Sequence, residues 1–508
     1  MPGNWDNDEE EAACGRTPCA DIDSTPVFRT MKLFLICAIL LAGRLNLFAA
    51  SAPSAPTTAP VAVAEIGSTA GQAIPPTFMG LSHEWGLAQD LMGSAASGRN
   101  NIYRQLLRNL TSYGSGPVIL RIGGNSTDYT GEPKPGMLQP FADLANEMGV
   151  RFYLGVNLGS GNPQLAVDQE KAYLNQMPPG SVEGIEIGNE PDGYRWNGKR
   201  ARSYVFANFL PESNAFQQGL LAALPPPVRL MGPSYGSPTP MNDFIAYIKS
   251  IPPSRLIASQ HFYVSNSATH PNLPADYLLG AAASTSGPSE GAARVAAAHQ
   301  YGSPFWLDEM NSISGGGEPG VSNVFASALW AMDVMFEFAR TGVDGVNWHT
   351  GNGGNYAAFE FQIDSVGQRK TYSLRTVKPL YYGLLMFQQA TGDGARLLPV
   401  KLETSGNVKV WATVGSQGVV RALILNKDEN ATGPVTLTMP GFRKATVERL
   451  TAPSYQSTTG IKIGGQTFDG SPDGKLQGER SGESVLPAHS NYVINMPACS
   501  AALVTFSR

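Results

Sequence analysis

From Phe78 to Gly392 the chain alternates short apolar stretches with amphipathic ones, and this alternation restricts the fold more than any other feature. Eight stretches read as strands: residues 78–84, 118–123, 152–157, 184–189, 229–232, 257–263, 305–309 and 345–349. Amphipathic helical segments lie between several of them, as at 102–110, 141–148 and 324–340. A crossover helix returns each strand in the same direction, so such strands pair in parallel. Eight strand–helix units in about 300 residues match the number and size of a (β/α)8 TIM barrel. The segment 379–389 reads as the last barrel helix, with Gly392 just past its end.

The rhythm then changes. Short alternating strands at 397–402, 408–413, 419–426, 435–439, 445–450, 492–496 and 502–506, with turn residues between them, predict an antiparallel β-sandwich. A lone strand at 61–66 precedes the barrel and has no sequence neighbour to cover it, so it is expected to join the sandwich. The α/β architecture expected is therefore a linker and strand over 53–75, a barrel over 76–392 and a sandwich over 393–508.

Residues 1–52 read as a leader and a signal peptide. Met31-Lys32 opens an apolar run over 33–42, and Ala50-Ser51-Ala52 supplies a small-residue cleavage site. Translation is expected to start at Met31, and the product to be secreted or periplasmic. Arg44 leaves the run short of a membrane span, so no membrane association is expected after cleavage. Cleavage removes Cys14, Cys19 and Cys37 and leaves Cys499 without a disulfide partner. The full chain of 508 residues carries a net charge of -5 and no long basic run, which argues against nucleic-acid binding.

Two of the strands run into glutamates. Gly184-Ile185-Glu186-Ile187-Gly188-Asn189-Glu190 meets Pro191, which has no N–H for a sheet ladder. Phe305-Trp306-Leu307-Asp308-Glu309 ends the seventh strand of the count in the same way. Either glutamate alone would also suit a solvated turn. On strands 4 and 7 of one barrel they would share the rim where barrel enzymes carry their catalytic groups. Glycoside hydrolysis with retention needs two carboxyl groups about 5–5.5 Å apart, one as acid and then base, the other as nucleophile. Glu190 is expected to be the acid, in an apolar or like-charged surrounding, and Glu309 the ionised nucleophile. Asn189 could bond a sugar 2-OH, and Tyr263, at the end of strand 6, could orient Glu309. Trp306 and Trp348 fit the core better than a sugar platform. The six histidines show no metal-ligand spacing and no Gly-rich phosphate loop follows a strand, so neither metal nor cofactor is expected.

These stretches resemble glycoside hydrolase family 79, the heparanase-like β-glucuronidases. The likeness is carried by Gly80-Leu81-Ser82-His83-Glu84, Leu120-Arg121-Ile122-Gly123-Gly124-Asn125, Gly188-Asn189-Glu190-Pro191-Asp192, His261-Phe262-Tyr263, Glu309-Met310-Asn311-Ser312 and Pro379-Leu380-Tyr381-Tyr382-Gly383. The resemblance implies Glu190 as acid/base, Glu309 as nucleophile, and Glu84 and Asn125 near the sugar hydroxyls. It implies a glucuronic-acid-containing oligo- or polysaccharide as substrate, its 6-carboxylate held by N–H groups of Gly315 and Gly316 and by Tyr356. Similar enzymes carry a tyrosine where this chain has Ser314, which opens space beside the carboxylate or O4. A modified uronic acid is thus an alternative substrate; a same-clan glycosidase acting on a neutral sugar is the second enzyme reading, and a non-hydrolytic carbohydrate-binding protein the alternative class. The connection 126–140 is short, so the cleft is expected to be open. No clustered Lys and Arg are read along the groove, so a weakly charged polymer is expected.

Overall fold

The computed structural model describes residues 62–508. The leader, the signal segment and the start of the linker lie outside the described residues. Eight parallel strands close into a barrel in chain order: Met79–Glu84, Ile119–Gly123, Arg151–Val156, Val182–Ile187, Arg229–Tyr235, Leu256–Asn266, Phe305–Ser314 and Gly345–His349, the last pairing with the first. All eight expected strands are present, with ends shifted by at most five residues and the eighth unshifted.

One end of the barrel is plugged by Ile119, Tyr153, Met231, Ile257 and Trp306, all buried. The Trp306 indole meets Tyr153 edge-on at 5.4 Å and donates its N–H to Asn347. A Cβ on Gly345 would overlap that indole, so the eighth strand has to begin with glycine.

The helix Ala326–Thr341 was expected to be amphipathic, yet Ala326 to Ala339 are all buried. Packing explains this: its second face lies under the C-terminal strands. There Trp411 stacks on Phe336 at 5.3 Å and donates to Asp333, and Lys427 donates to the same carboxylate at 2.6 Å with both side chains buried. A helix covered on both sides has no polar face to present.

The C-terminal strands form two sheets. One orders Val400–Glu403, Ala62–Ile66, Gly433–Thr438 and Asn491–Met496. The other is built on Arg396–Leu398, Val408–Val414, Val420–Asn426, Ser500–Ser507 and Lys444–Thr451. The strand Ala62–Ile66 pairs antiparallel with Val400–Glu403 and parallel with Gly433–Thr438, so the first described strand does sit in the sandwich. The segment read as one strand over 397–402 is two, in different sheets, divided at Pro399, whose missing N–H breaks the ladder.

A hairpin of Phe359–Val366 and Arg369–Val377 follows the eighth barrel strand and escaped the sequence reading. Phe359, Phe361 and Ile363 alternate with Glu360, Gln362 and Asp364, a strand signal that the count of eight barrel units passed over, while the second strand is mostly polar. Among the described residues no helix is long and apolar enough to cross a membrane. Cys499 is buried and free.

Candidate active site

The site forms where the carboxyl ends of the strands converge. Val182–Ile187 stops sooner than expected, and Gly188 and Glu190 both turn left-handed, Glu190 at φ 48° and ψ 54°. A non-glycine residue there is strained, and such strain gathers at functional sites. The Glu190 N–H donates to the Ser234 carbonyl at 3.0 Å, which holds the turn. Pro191 opens a short 3-10 turn, so the proline does end extended structure.

Glu309 is not the last residue of its strand, which continues to Ser314. The pairing register shifts around Asp308 on both neighbours. Such a bulge re-aims side chains that would otherwise alternate. Here Asp308 and Glu309 both reach the interior network: Asp308 accepts from Ser234 Oγ at 2.5 Å, and Glu309 accepts from Arg121 Nη1 at 2.5 Å and from Tyr263 Oη at 2.7 Å.

Arg121, fully buried on the second barrel strand, is the hub. Its Nε and Nη2 donate to Glu186 at 2.8 and 2.7 Å, Nη2 also to Asn189 Oδ1 at 2.7 Å, and Nη1 to Ser82 Oγ at 3.1 Å besides Glu309. Burial would push the Glu309 carboxyl up, but the His349 and His261 rings, Arg121 and the Tyr263 hydroxyl outweigh it and hold the group well below the usual carboxylate range. A carboxylate that stays ionised suits a nucleophile.

His261 Nδ1 lies 3.1 Å from Glu190 Oε1 and 3.9 Å from Glu309 Oε1. Nearest ligand-type oxygens of Glu190, Glu309 and the ring all fall within 4.8 Å of one another. Of the two surroundings expected for the acid, the structure supplies the like-charged one, Glu309; the Glu190 side chain is 30% exposed rather than walled by apolar groups. Burial opposes charge on His261, yet Glu309, Asp308, Glu186 and Glu190 raise its pKa well above the usual histidine value. The Asp308 pKa rises too, for a different reason: burial lifts it to about 6 against the pull of His261.

Glu186, His261 and Asp308 also bring ligand-type atoms within 4.8 Å, a grouping that histidine spacing in the sequence does not reveal. Arg121 already donates to Glu186, and the surrounding carboxylates favour the protonated form of His261, so a cation would have to compete with positive charge already in place. The donor set is therefore better suited to a charge network than to a metal.

The other expected residues fall around this core. Asn189 Nδ2 donates to Asn125 Oδ1 at 3.3 Å, which joins two of them. Glu84 accepts from the N–H groups of Asn125 and Ser126 and from Ser126 Oγ, so its carboxylate braces the turn after the second strand. The Tyr356 ring lies 6.2 Å from that of Tyr263 and 6.0 Å from that of His349. Gly315, Gly316 and Gly317 have φ of 76°, 88° and 86°. Among the described residues none of their three N–H groups meets an acceptor, while the Gly316 carbonyl accepts from Asn355 at 2.6 Å. Successive free N–H groups in this conformation form an anion-binding concavity. Trp348 is buried against Trp330, and Trp306 belongs to the plug, so neither stacks on a sugar.

Sequence reasoning missed Arg121, Glu186, His261, Asp308 and His349 as site residues. A signal was present: Arg121 between Leu120 and Ile122, and Glu186 between Ile185 and Ile187, are charges inside apolar strands, and such charges require partners.

Comparison with known proteins agrees. Residues 410–503 match the glycosyl hydrolase family 79 C-terminal beta domain. A β-glucuronidase of Aspergillus niger is 25% identical over 500 residues, covering 84% of this chain and 90% of that one. One of Neurospora crassa is 24% identical over 313 residues, covering 51% and 55%. Among solved structures, a 4-O-α-L-rhamnosyl-β-D-glucuronidase of Fusarium oxysporum superposes with a TM-score of 0.71 at 20% identity, over 87% of this chain and all of that one. A family 51 arabinofuranosidase of Xanthomonas axonopodis does so at 0.66 and 15%, over 88% of this chain and all of that one, and both structures share the fold. The resemblance thus extends through the barrel and into the C-terminal strands, and the chain is a glycoside hydrolase similar to the β-glucuronidases of family 79.

Proposed function

We propose that this protein is an exported β-glucuronidase that acts with retention through a two-glutamate double displacement. The observation that carries hydrolysis is the pair Glu190 and Glu309, with oxygens within 4.8 Å and different partners. That spacing leaves no room for a water between them, and so favours a covalent intermediate over direct inversion. Glu309, ionised by its neighbours, attacks the anomeric carbon. Glu190 gives a proton to the glycosidic oxygen, then takes one from the incoming water. Asn189, held by Arg121, faces the sugar 2-OH.

Selection of a uronic acid rests on the free N–H groups of Gly315 to Gly317 and on Tyr356 beside them, and the relatives' activity supports it. The space left by Ser314 admits a group on O4, so a substituted glucuronate is the second substrate. The short connection after the second strand favours a cleft open at both ends, able to cut within a chain.

Glu190→Gln should lower turnover of poor leaving groups by about 10²–10⁴ while sparing the first step on activated aryl glucuronides. Equal loss on both would remove Glu190 from the acid role. Gly316→Val should cut the preference for aryl β-glucuronide over aryl β-glucoside, since a β-branched residue resists φ > 0; an unaltered ratio would move the carboxylate site elsewhere. Product anomers followed by NMR test retention.

A further inference from the structure

The sequence shows no long basic run, but the loop after the fourth barrel strand packs four cations into eight residues, Arg195-Trp196-Asn197-Gly198-Lys199-Arg200-Ala201-Arg202. Two of them have structural partners. Arg200 is bound to Glu212 and to the carbonyls of Leu158, Gly159 and Lys199, which anchors the loop. Lys199 is 3.7 Å from Asp128, with its ammonium 4.4 Å from the centre of the Tyr129 ring.

Arg195 and Arg202 have no such partners. Among the described residues neither forms an ion pair with a carboxylate, and the buried Nε of Arg195 has no hydrogen-bond acceptor. Both guanidinium groups instead gather on one side chain, at 4.8 and 5.1 Å from the Trp196 ring centre. That indole is still 63% exposed, and Tyr129, across Lys199 on the loop after the second strand, is 71% exposed. A loop serving only packing would bury the indole or neutralise the arginines. This one holds an exposed aromatic face beside two arginines that no carboxylate neutralises, Arg202 exposed and Arg195 partly so.

Its place on the rim gives that patch a meaning. The loop starts at the acid: the Gly193 N–H donates to the Glu190 carbonyl at 2.8 Å, and the Trp196 N–H to the Gly193 carbonyl. A general acid stands beside the glycosidic oxygen, so the leaving group departs on its side. Tyr129 sits on the turn whose Asn125 touches Asn189. The patch therefore borders the leaving-group side of the cleft.

We propose that Trp196, Arg195 and Arg202 form a leaving-group-side subsite for a sugar carrying a negative charge. Its C–H face would stack on the indole, and its carboxylate or sulfate would pair with the guanidinium groups. This rests on Glu190 being the acid, and it replaces the expectation of a groove without clustered cations.

The test measures binding of three tetrasaccharides, chondroitin, chondroitin 6-sulfate and chitotetraose, to the full chain carrying Glu309→Gln, by calorimetry at low and high salt. Chondroitin should bind more tightly than the neutral oligomer, and the advantage should shrink with salt. Trp196→Ala, and Arg195→Gln with Arg202→Gln, should each weaken chondroitin binding roughly five- to tenfold. Tighter binding of the sulfated form would identify sulfate as the preferred anion, and equal binding would leave the carboxylate sufficient; either supports the subsite when the Trp196 and arginine substitutions abolish the advantage, because the glucuronate site at Gly315 to Gly317 would keep its own preference in those variants. Equal binding of charged and neutral oligomers, or salt-independent binding unaffected by the arginine substitutions, overturns it. Hydrolysis of p-nitrophenyl β-glucuronide by the unaltered chain reports separately on the proposed activity. That substrate has no second sugar, so failure there leaves the binding result interpretable.

Discussion

The second barrel strand carries Ile119 near one end and Arg121 two residues on; the seventh carries Trp306 and then Glu309. At the amino end the strands meet in an apolar plug of Ile119, Tyr153, Met231, Ile257 and Trp306. At the carboxyl end they meet in Arg121, Glu186, His261, Asp308 and Glu309, equally buried but charged. Both ends exclude water. The plug gains from burial directly, about 25 cal/mol per Å² of apolar surface. The mouth pays for desolvated charges and is tolerable because Arg121 and His261 lie among the carboxylates, Arg121 bonded to Glu186 and Glu309. Side chains of the plug should thus serve stability alone, and those of the mouth stability and chemistry together.

The largest effect should come from Glu309→Gln, which removes the proposed nucleophile and should lower kcat on an aryl glucuronide by roughly four orders of magnitude or more. A variant with substantial turnover would separate the mouth from the reaction. Arg121→Met is the next strongest. It strands Glu186 and Glu309 without their cation, and should cost about 3–5 kcal/mol of unfolding free energy along with most activity. Urea titration and steady-state rates on the same sample read both losses.

Trp306→Ala is the counterpart at the other end. The cavity it leaves should also cost about 3–5 kcal/mol, but kcat of the folded fraction should stay within about tenfold of the parent. If Trp306→Ala lost catalysis as severely as Arg121→Met, the division between the ends would fail.

The smallest effect sharpens the comparison. Asp308 has its pKa raised from 3.8 to about 6, chiefly by burial. Between those values the folded protein binds the proton more firmly than the unfolded chain, so this group's contribution to stability falls as pH rises through the window. Asp308→Asn cannot titrate. The parent should therefore lose stability relative to the variant between about pH 4 and about pH 6.5, read from urea midpoints. Parallel stability curves would mean that Asp308 titrates alike in both states.

The legible parts of this molecule are those written locally. Apolar periodicity gave eight strands because each must bury its side chains whatever its neighbours are. Pro191 marked the end of extended structure before Glu190 could be assigned any partner. The glutamate pair and Tyr263 followed from strand count alone, since strand ends of one barrel share a rim.

Other features depend on groups distant in sequence. Arg121 and Glu186 are 65 residues apart, and Arg121 and Glu309 are 188 apart. They meet only when the barrel closes. The bulge at Asp308, which turns two successive carboxylates inward, has no signature in the strand's own residues. The crossing at Pro399 depends on which sheet each half can join.

By itself, then, the sequence determined the order and type of the elements and the placement of Glu190 and Glu309 on one rim. The tertiary structure alone decided which charges are paired, that His261 stands between the two carboxylates, and that Trp196 remains in water between two arginines. The physical reason is range. Backbone and burial preferences act over a few residues, whereas the state of a buried charge depends on whatever lies within a few ångströms, and closure of the barrel chooses those neighbours.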